Sequence, residues 1–237
     1  MSLQKLRSSS SPLFCKYHSL AGEVSFSYKG SRSILGVLQK GIDLGRPARG
    51  DLRAALLQEV KAVCAEDGPE AVSIARIGKK LGVSSGAPYR LFPAREDIFI
   101  ALIEQEMARL DRDMNTEIAH HPRDHAARLR GMCAAYLRFA REEEAMFRLS
   151  FSVSAKAMRA LDLQTLGKRI YGKVLATVAA CLPPDTAQTD VAARTHLLWS
   201  TIHGHALLRM TGQLDDQDMD VDDATVVAAA VTQALRA

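Results

Sequence analysis

The stretch from Ser73 to Phe92, SIARIGKKLGVSSGAPYRLF, limits what this chain can fold into more than any other, because its punctuation suits two short helices joined by a tight turn. Ser73 offers a side-chain oxygen to an orphan backbone N–H, and Ile74, Ile77 and Leu81 then recur at helical spacing. Gly82 follows the last apolar residue, where a left-handed residue closes a helix at low cost, and Val83 can tuck between the two helices. Ser84 is placed to cap a second helix, Ser85 to Leu91. Pro88 comes early enough in it to remove only one of the first intrahelical bonds, and Pro93 ends it.

The second helix is short and carries contact residues without bulk. A helix end fits the major groove of DNA, its free N–H groups and positive pole attract phosphate, and Ser or Arg side chains read or grip what lies beyond. Arg76, Lys79, Lys80, Arg90 and Arg95 crowd the segment and would supply sequence-independent affinity. Tyr89 can donate its hydroxyl to a phosphate or lay its ring on a sugar. The candidate DNA contacts are Arg49, Arg53, Ser73, Ser84, Ser85, Gly86, Ala87, Pro88, Tyr89, Arg90 and Arg95. The competing reading of the same residues is an ordinary helical hairpin with a solvated basic face.

GVSSGAPYRLFPAREDIFIAL, residues 82–102, resembles the end of the DNA-binding domain of TetR/AcrR-type transcriptional regulators. The family pattern is close to GVS-x-x-x-x-Y-x-x-F, followed by a basic and an acidic residue that open the next helix. The resemblance covers about residues 51 to 105 and implies an all-α homodimer with a three-helix DNA-binding head and a C-terminal ligand-binding and dimerising body. It also implies a double-stranded operator as partner, a small-molecule effector that releases it, and a repressor's role. Two positions depart from the pattern. Ala94 stands where a capping residue is expected, and Arg95 where the family commonly has Lys, which changes the shape of a phosphate contact.

Charge is unevenly placed. Residues 1–50 carry eight Lys or Arg against Glu23 and Asp43, a net +6, so the other 187 residues sum to −2 within the overall +4. One basic end suits a protein that meets a polyanion, although a solvated tail gives the same balance. Cys15, Cys64, Cys133 and Cys181 are widely separated and form no C-x-x-C pair, which fits a reducing cytoplasm. No apolar run approaches the roughly 18 residues needed to cross a bilayer, so no membrane partner is expected.

Residues 1–49 are rich in Ser, Gly and basic residues without a sustained period and read as a disordered extension. It is either a basic arm that follows DNA or a leader without a role, including a start assigned too far upstream. From Asp51 a helix carries Leu52, Leu56, Val60 and Val63 on one stripe and stops at Asp67-Gly68-Pro69, giving a DNA-binding domain over 50–96. After Pro93 a long helix carries Phe99, Ile103, Met107, Leu110 and Met114, the start of a second domain over 97–237.

Further helices are expected over about 123–142, 162–182, 186–211 and 222–237, with the segment 145–151 following the first of them. The aromatic and Met side chains among them, with Met158, can surround an apolar ligand or simply pack. The candidate pocket is Met107, Leu110, Tyr136, Phe139, Phe147, Phe151, Tyr171, Trp199 and His203. His203 fits either a ligand contact or a buried histidine bonded to a backbone carbonyl. Trp199, His203 and Gly204 resemble the Trp, His and Gly that name the C-terminal domain of one TetR subgroup. Small residues at Gly204, Ala206 and 228–230 permit close helix approach, and apolar stripes on the last two helices suit a four-helix bundle with a second subunit.

Two rival functions come from other classes. Gly82-Val83-Ser84-Ser85-Gly86 satisfies G-x-S-x-G, the nucleophile elbow of a hydrolase with Ser84 as nucleophile. An elbow needs a strand before the turn, however, and IARIGKKL has helical spacing. A helical protein-interaction module is the other rival, and it would lack strongly salt-dependent affinity for DNA. His121-x-x-x-His125 has metal-ligand spacing, but Pro122 and Arg123 make it a helix start without further ligands, so neither metal nor cofactor is expected.

Overall fold

The computed structural model describes residues 49–152, 163–214 and 221–236, with side chains over 51–151, 165–214 and 221–236. The basic extension, Met158 and most of the acidic linker before the last helix lie outside the described residues, as does the side chain of Arg49. Every regular element described is helical: α1 (Arg49–Glu66), α2 (Ile74–Lys80), α3 (Gly86–Leu91), α4 (Arg95–His120), α5 (His125–Glu142), α6 (Glu144–Ser152), α7 (Leu163–Cys181), α8 (Gln188–Met210) and α9 (Asp223–Leu235). A 3-10 turn, Pro69–Ala71, joins α1 to α2. No described helix is long and apolar enough to cross a membrane.

Two apolar cores form along this order. Leu52, Leu56, Leu57 and Val60 of α1 pack with Val72, Ile77, Phe92 and the first turns of α4, Ile98 and Ile100–Ile103. The second core joins Leu110 and Met114 of α4 to α5, α7, α8 and α9 through Leu129, Met132, Val178, Leu198, Ile202 and Val231. The 26-residue α4 enters both cores, and partly buried Met107 packs against each. Phe99 and Met107 of the expected stripe are only half-buried, because helices enclose the first turns of α4 on more than one side and shift the buried set to Ile98, Ile100, Ala101, Leu102 and Ile103.

Helix α6 also serves both cores. Met146 and Leu149 lie in the core around α1, whereas Phe147, fully buried, belongs to the other. Caps explain several boundaries: Asp124 accepts from Ala127 N at 2.8 Å and Asp222 from Thr225 N at 2.6 Å. Ala94 cannot accept such a bond. Asp97, three residues on, instead accepts the Ala94 N–H at 2.8 Å, half of a capping box. Among the described residues Gly204 is not a close-packing position, since a Cβ there would meet nothing within 4 Å.

Candidate nucleic-acid interface

The turn between α2 and α3 is built from backbone bonds. Leu81 caps α2, Gly82 takes φ 67°, its N–H reaches Lys79 O at 3.1 Å, and Val83 N–H reaches Gly78 O at 3.1 Å. This is the Schellman arrangement, which consumes the last free carbonyls of α2 and turns the chain sharply. Ser73 caps the other end of α2, its Oγ 3.4 Å from Arg76 N. The face of α3 that follows is set by Pro88, whose Cγ sits over Gly78 so closely that a Cβ there would stand 2.7 Å away.

That contact sorts the candidate DNA residues. Ala87 and Pro88 are buried against α2 and Ala87 belongs to the core around α1, so they hold α3 in place and present no contact surface. Ser84, Ser85, Gly86, Tyr89 and Arg90 are exposed together on the opposite side, with Tyr89 46% exposed. Neither serine caps α3. The helix begins at Gly86, and Ser85 before it has helical angles (φ −54°, ψ −31°), from which its hydroxyl cannot reach back to the next N–H groups. Ser84 contributes only its carbonyl, to Ala87 N at 2.9 Å. Both hydroxyls, with the side chains of Tyr89 and Arg90, make no hydrogen bond or ion pair among the described residues.

The basic side chains divide the same way. Arg76, Lys79 and Arg90 are exposed and unpaired among the described residues, whereas Lys80 pairs with Glu59 on α1. Arg53 is exposed on the first turns of α1 with its guanidinium 5.3 Å over the Phe92 ring, which fixes its stem beside the end of α3. Arg95 is directed inward. It donates to Pro69 O, lies 3.3 Å from Glu70, and stacks 5.0 Å from the Phe99 ring, so it ties α4 to the turn after α1 instead of offering a phosphate contact. The missing lysine explains the difference: a guanidinium has enough donors to bind a carbonyl and a carboxylate at once.

Six of the nine candidate pocket residues gather in a second place. His203 lies within 4.5 to 6.3 Å, ring centroid to centroid, of Phe151, Trp199, Phe147 and Tyr136, and Trp199 stacks on it at 19°. Phe139 touches Phe147 from the core side. Tyr136 Oη lies 2.9 Å from His203 Nδ1, so His203 bonds a phenol, not a backbone carbonyl. Burial pushes the Tyr136 hydroxyl well above its ordinary pKa and the His203 imidazole below its own, which leaves both neutral, with Tyr136 donating. Phe151 and Trp199 leave one side of the cluster open at 52% and 39% exposure. Leu110 is packed in the core, while Met107 and Tyr171 make none of these ring contacts.

Ser84 does not form a hydrolase elbow, since the residues before it are helix α2 and the turn has no strand. Along the last two helices, Leu197, 65% exposed, and Leu198 line an open cleft of about 580 Å³ with Ala228, Ala229 and Ala230.

The profile described as bacterial regulatory proteins, tetR family, matches residues 56–102, and that of the Tetracyclin repressor-like C-terminal domain matches residues 129–234. No curated protein matches the chain. Among solved structures, a protein of unknown function from Rhodococcus is 21% identical with a TM-score of 0.63, covering 83% of this chain and 98% of its own. The TetR family transcriptional regulator PfmR from Thermus thermophilus is 20% identical with a TM-score of 0.54, covering 76% and 97%. A TetR-family transcriptional regulator from Bordetella parapertussis is 16% identical with a TM-score of 0.55, covering 78% and 94%. These structures share the fold.

Proposed function

The chain belongs to the TetR family of bacterial transcriptional regulators, a DNA-binding and non-enzymatic class, and from that premise we propose that it is a cytoplasmic repressor acting as a homodimer. Residues 50–96 form the head that binds DNA and residues 97–237 the body that dimerises and takes an effector. The observation that carries this reading is the exposed, unpaired set Ser84, Ser85, Gly86, Tyr89 and Arg90 on one side of α3, whose other side is locked to α2.

Two copies of α3 enter successive major grooves of a pseudo-palindromic operator, which requires a separation of about 34 to 36 Å. Arg90, Arg53 and Tyr89 hold phosphates, Ser85 faces base edges, and Gly86 allows the backbone to come close. The exposed leucines of α8 meet their counterparts across a two-fold axis. A small effector enters where Phe151 and Trp199 leave the aromatic cluster open and stabilises a dimer whose heads no longer match the groove spacing. Among the described residues no cation–π contact involves these rings, and burial keeps Tyr136 and His203 neutral, so an uncharged, largely apolar molecule suits the site.

Anisotropy titrations of DNA flanking the gene test the division of roles. Arg90→Ala weakens binding to all sequences and lowers the salt slope by about one, whereas Ser85→Ala changes the ratio of cognate to random affinity. Equal losses on cognate and random DNA for both variants contradict the assignment.

A further inference from the structure

Four charged side chains close an alternating ring where the two cores meet. Lys61 Nζ of α1 lies 2.7 Å from Glu106 Oε1 of α4 and 2.8 Å from Glu143 Oε2, the residue between α5 and α6. Arg109 Nη1 of α4 closes the ring, 2.6 Å from Glu143 Oε1 and 3.8 Å from Glu106 Oε2, and its other terminal nitrogen holds Glu142 at 3.0 Å. Glu106 is only 2% exposed, and its Oε2 has no hydrogen-bond partner among the described residues. Burial alone would lower the Lys61 pKa, but the hydrogen bonds and charges of Glu106 and Glu143 outweigh it and hold the ammonium charged.

Of these four residues Lys61 alone comes from the helices that carry the DNA surface. Beyond this ring, the core that α1 shares with α6 and with the first turns of α4 is apolar, built with Met146, Ile98 and Ile100–Ile103. Apolar contacts fix a distance yet tolerate sliding, because the attraction scales with area and not direction. A charge held at 2.7 and 2.8 Å by two carboxylates on different elements does not slide. A displacement of α3 by a single base step, about 3.4 Å along the duplex, is enough to lose register with the second half-site.

We propose that Lys61 is a positioning residue for operator recognition: by joining α1 to Glu106 and Glu143 at once it sets the angle of the DNA-binding head on the body, and so the half-site spacing that the dimer accepts. This rests on the reading of the chain as a two-headed dimer. Lys61 touches no DNA. Its effect is on spacing selectivity, not on the affinity of one head for one half-site.

The test uses the full-length protein and the duplex that it protects in footprinting, with versions in which one base pair is inserted or removed between the half-sites. Wild type prefers its own spacing by roughly tenfold or more, and Lys61→Met narrows that preference to about threefold or less, a range that coupling through a packed joint can carry. Lys61→Arg, which keeps the charge, retains the preference. Since Lys61→Met strands a buried carboxylate and can unfold the head, Glu143→Gln serves as the second variant, as it opens the ring while leaving Lys61 on Glu106. A general loss of stability lowers affinity for all spacings equally and leaves the ratio unchanged. An unchanged ratio in a folded Lys61→Met or Glu143→Gln protein overturns the proposal, as does equal loss in Lys61→Arg. A wild type with no spacing preference contradicts the two-headed dimer itself, a different result from a wild type that discriminates and a variant that does so equally well.

Discussion

Gly78 and Pro88 are in such close contact that a Cβ on Gly78 would stand 2.7 Å from the proline Cγ. The ring cannot swing away as a flexible side chain would, so Gly78→Ala pries α2 from α3. The clash exceeds the helical gain of about 1 kcal/mol from replacing Gly and leaves the head roughly 1–2 kcal/mol less stable by thermal unfolding. Gly86→Ala is the contrasting change. A Cβ there meets nothing within 4 Å, so the variant keeps or gains stability, by up to about 1 kcal/mol, while its added methyl stands between α3 and the DNA and lowers operator affinity. If Gly86→Ala binds as well as wild type, the backbone of α3 does not approach the duplex closely.

Arg90 and Arg95 lie five residues apart and predict opposite phenotypes. Arg90→Ala leaves the melting temperature within error and reduces the salt dependence of DNA binding. Arg95→Ala removes the bond to Pro69 O and the stack on Phe99, costs about 1–2 kcal/mol of stability, and leaves the salt slope of the folded protein unchanged. The reverse pattern would show that Arg95 leaves its inward site when DNA binds.

The chain's single tryptophan, Trp199, stacks on His203 and reports its charge. Burial depresses the folded pKa of His203 below the ordinary 6.5 or so, so between those two values the unfolded chain holds more protons than the folded one. The contribution of His203 to stability is therefore present above pH of about 6.5 and is lost progressively as pH falls from there through the lower folded pKa. Trp199 emission, quenched by imidazolium, titrates with a midpoint below that of a free histidine. His203→Gln removes the transition, and His196→Gln, at the exposed neighbour of Trp199, leaves it. A midpoint at or above 6.5 would mean that the cluster stabilises the cation.

Much of the head was legible in the sequence because its signals are local. Gly82 required φ above zero, Ser73 and the Ile74–Ile77 spacing marked α2, and Pro93 marked the end of α3. What the sequence misplaced were the consequences of packing. Ala87 and Pro88 sit in the middle of a contact motif, yet the close approach to Gly78 turns them inward. Arg95 matched a basic position whose partner, Pro69 O, is 26 residues away. Ser85 looked like part of a capped helix, but capping depends on backbone angles that residue type does not reveal. The ion ring left one trace: Glu106 falls three residues after Ile103 and four before Leu110, on the buried stripe of α4, where a lone carboxylate demands a partner. Nothing in the order of residues says that Lys61 supplies it.

The exposed leucines of α8 give a separate test of assembly. Leu197 contributes little to the chain's own core at 65% exposure, so Leu197→Glu changes monomer stability by no more than about 0.5 kcal/mol. Light scattering should nonetheless show a monomer where wild type is a dimer, with operator affinity lost alongside. A variant that remains dimeric places the subunit contact elsewhere.

Footprinting of the wild-type protein on the DNA flanking its own gene is the most direct measurement. Protection of two half-sites about 10 to 10.5 base pairs apart, centre to centre, or a multiple of that, is the predicted result, and Arg90→Ala should abolish it at the same protein concentration. Protection of a single site, or no protection that survives competition by random DNA, would contradict a dimer that reads its operator through α3.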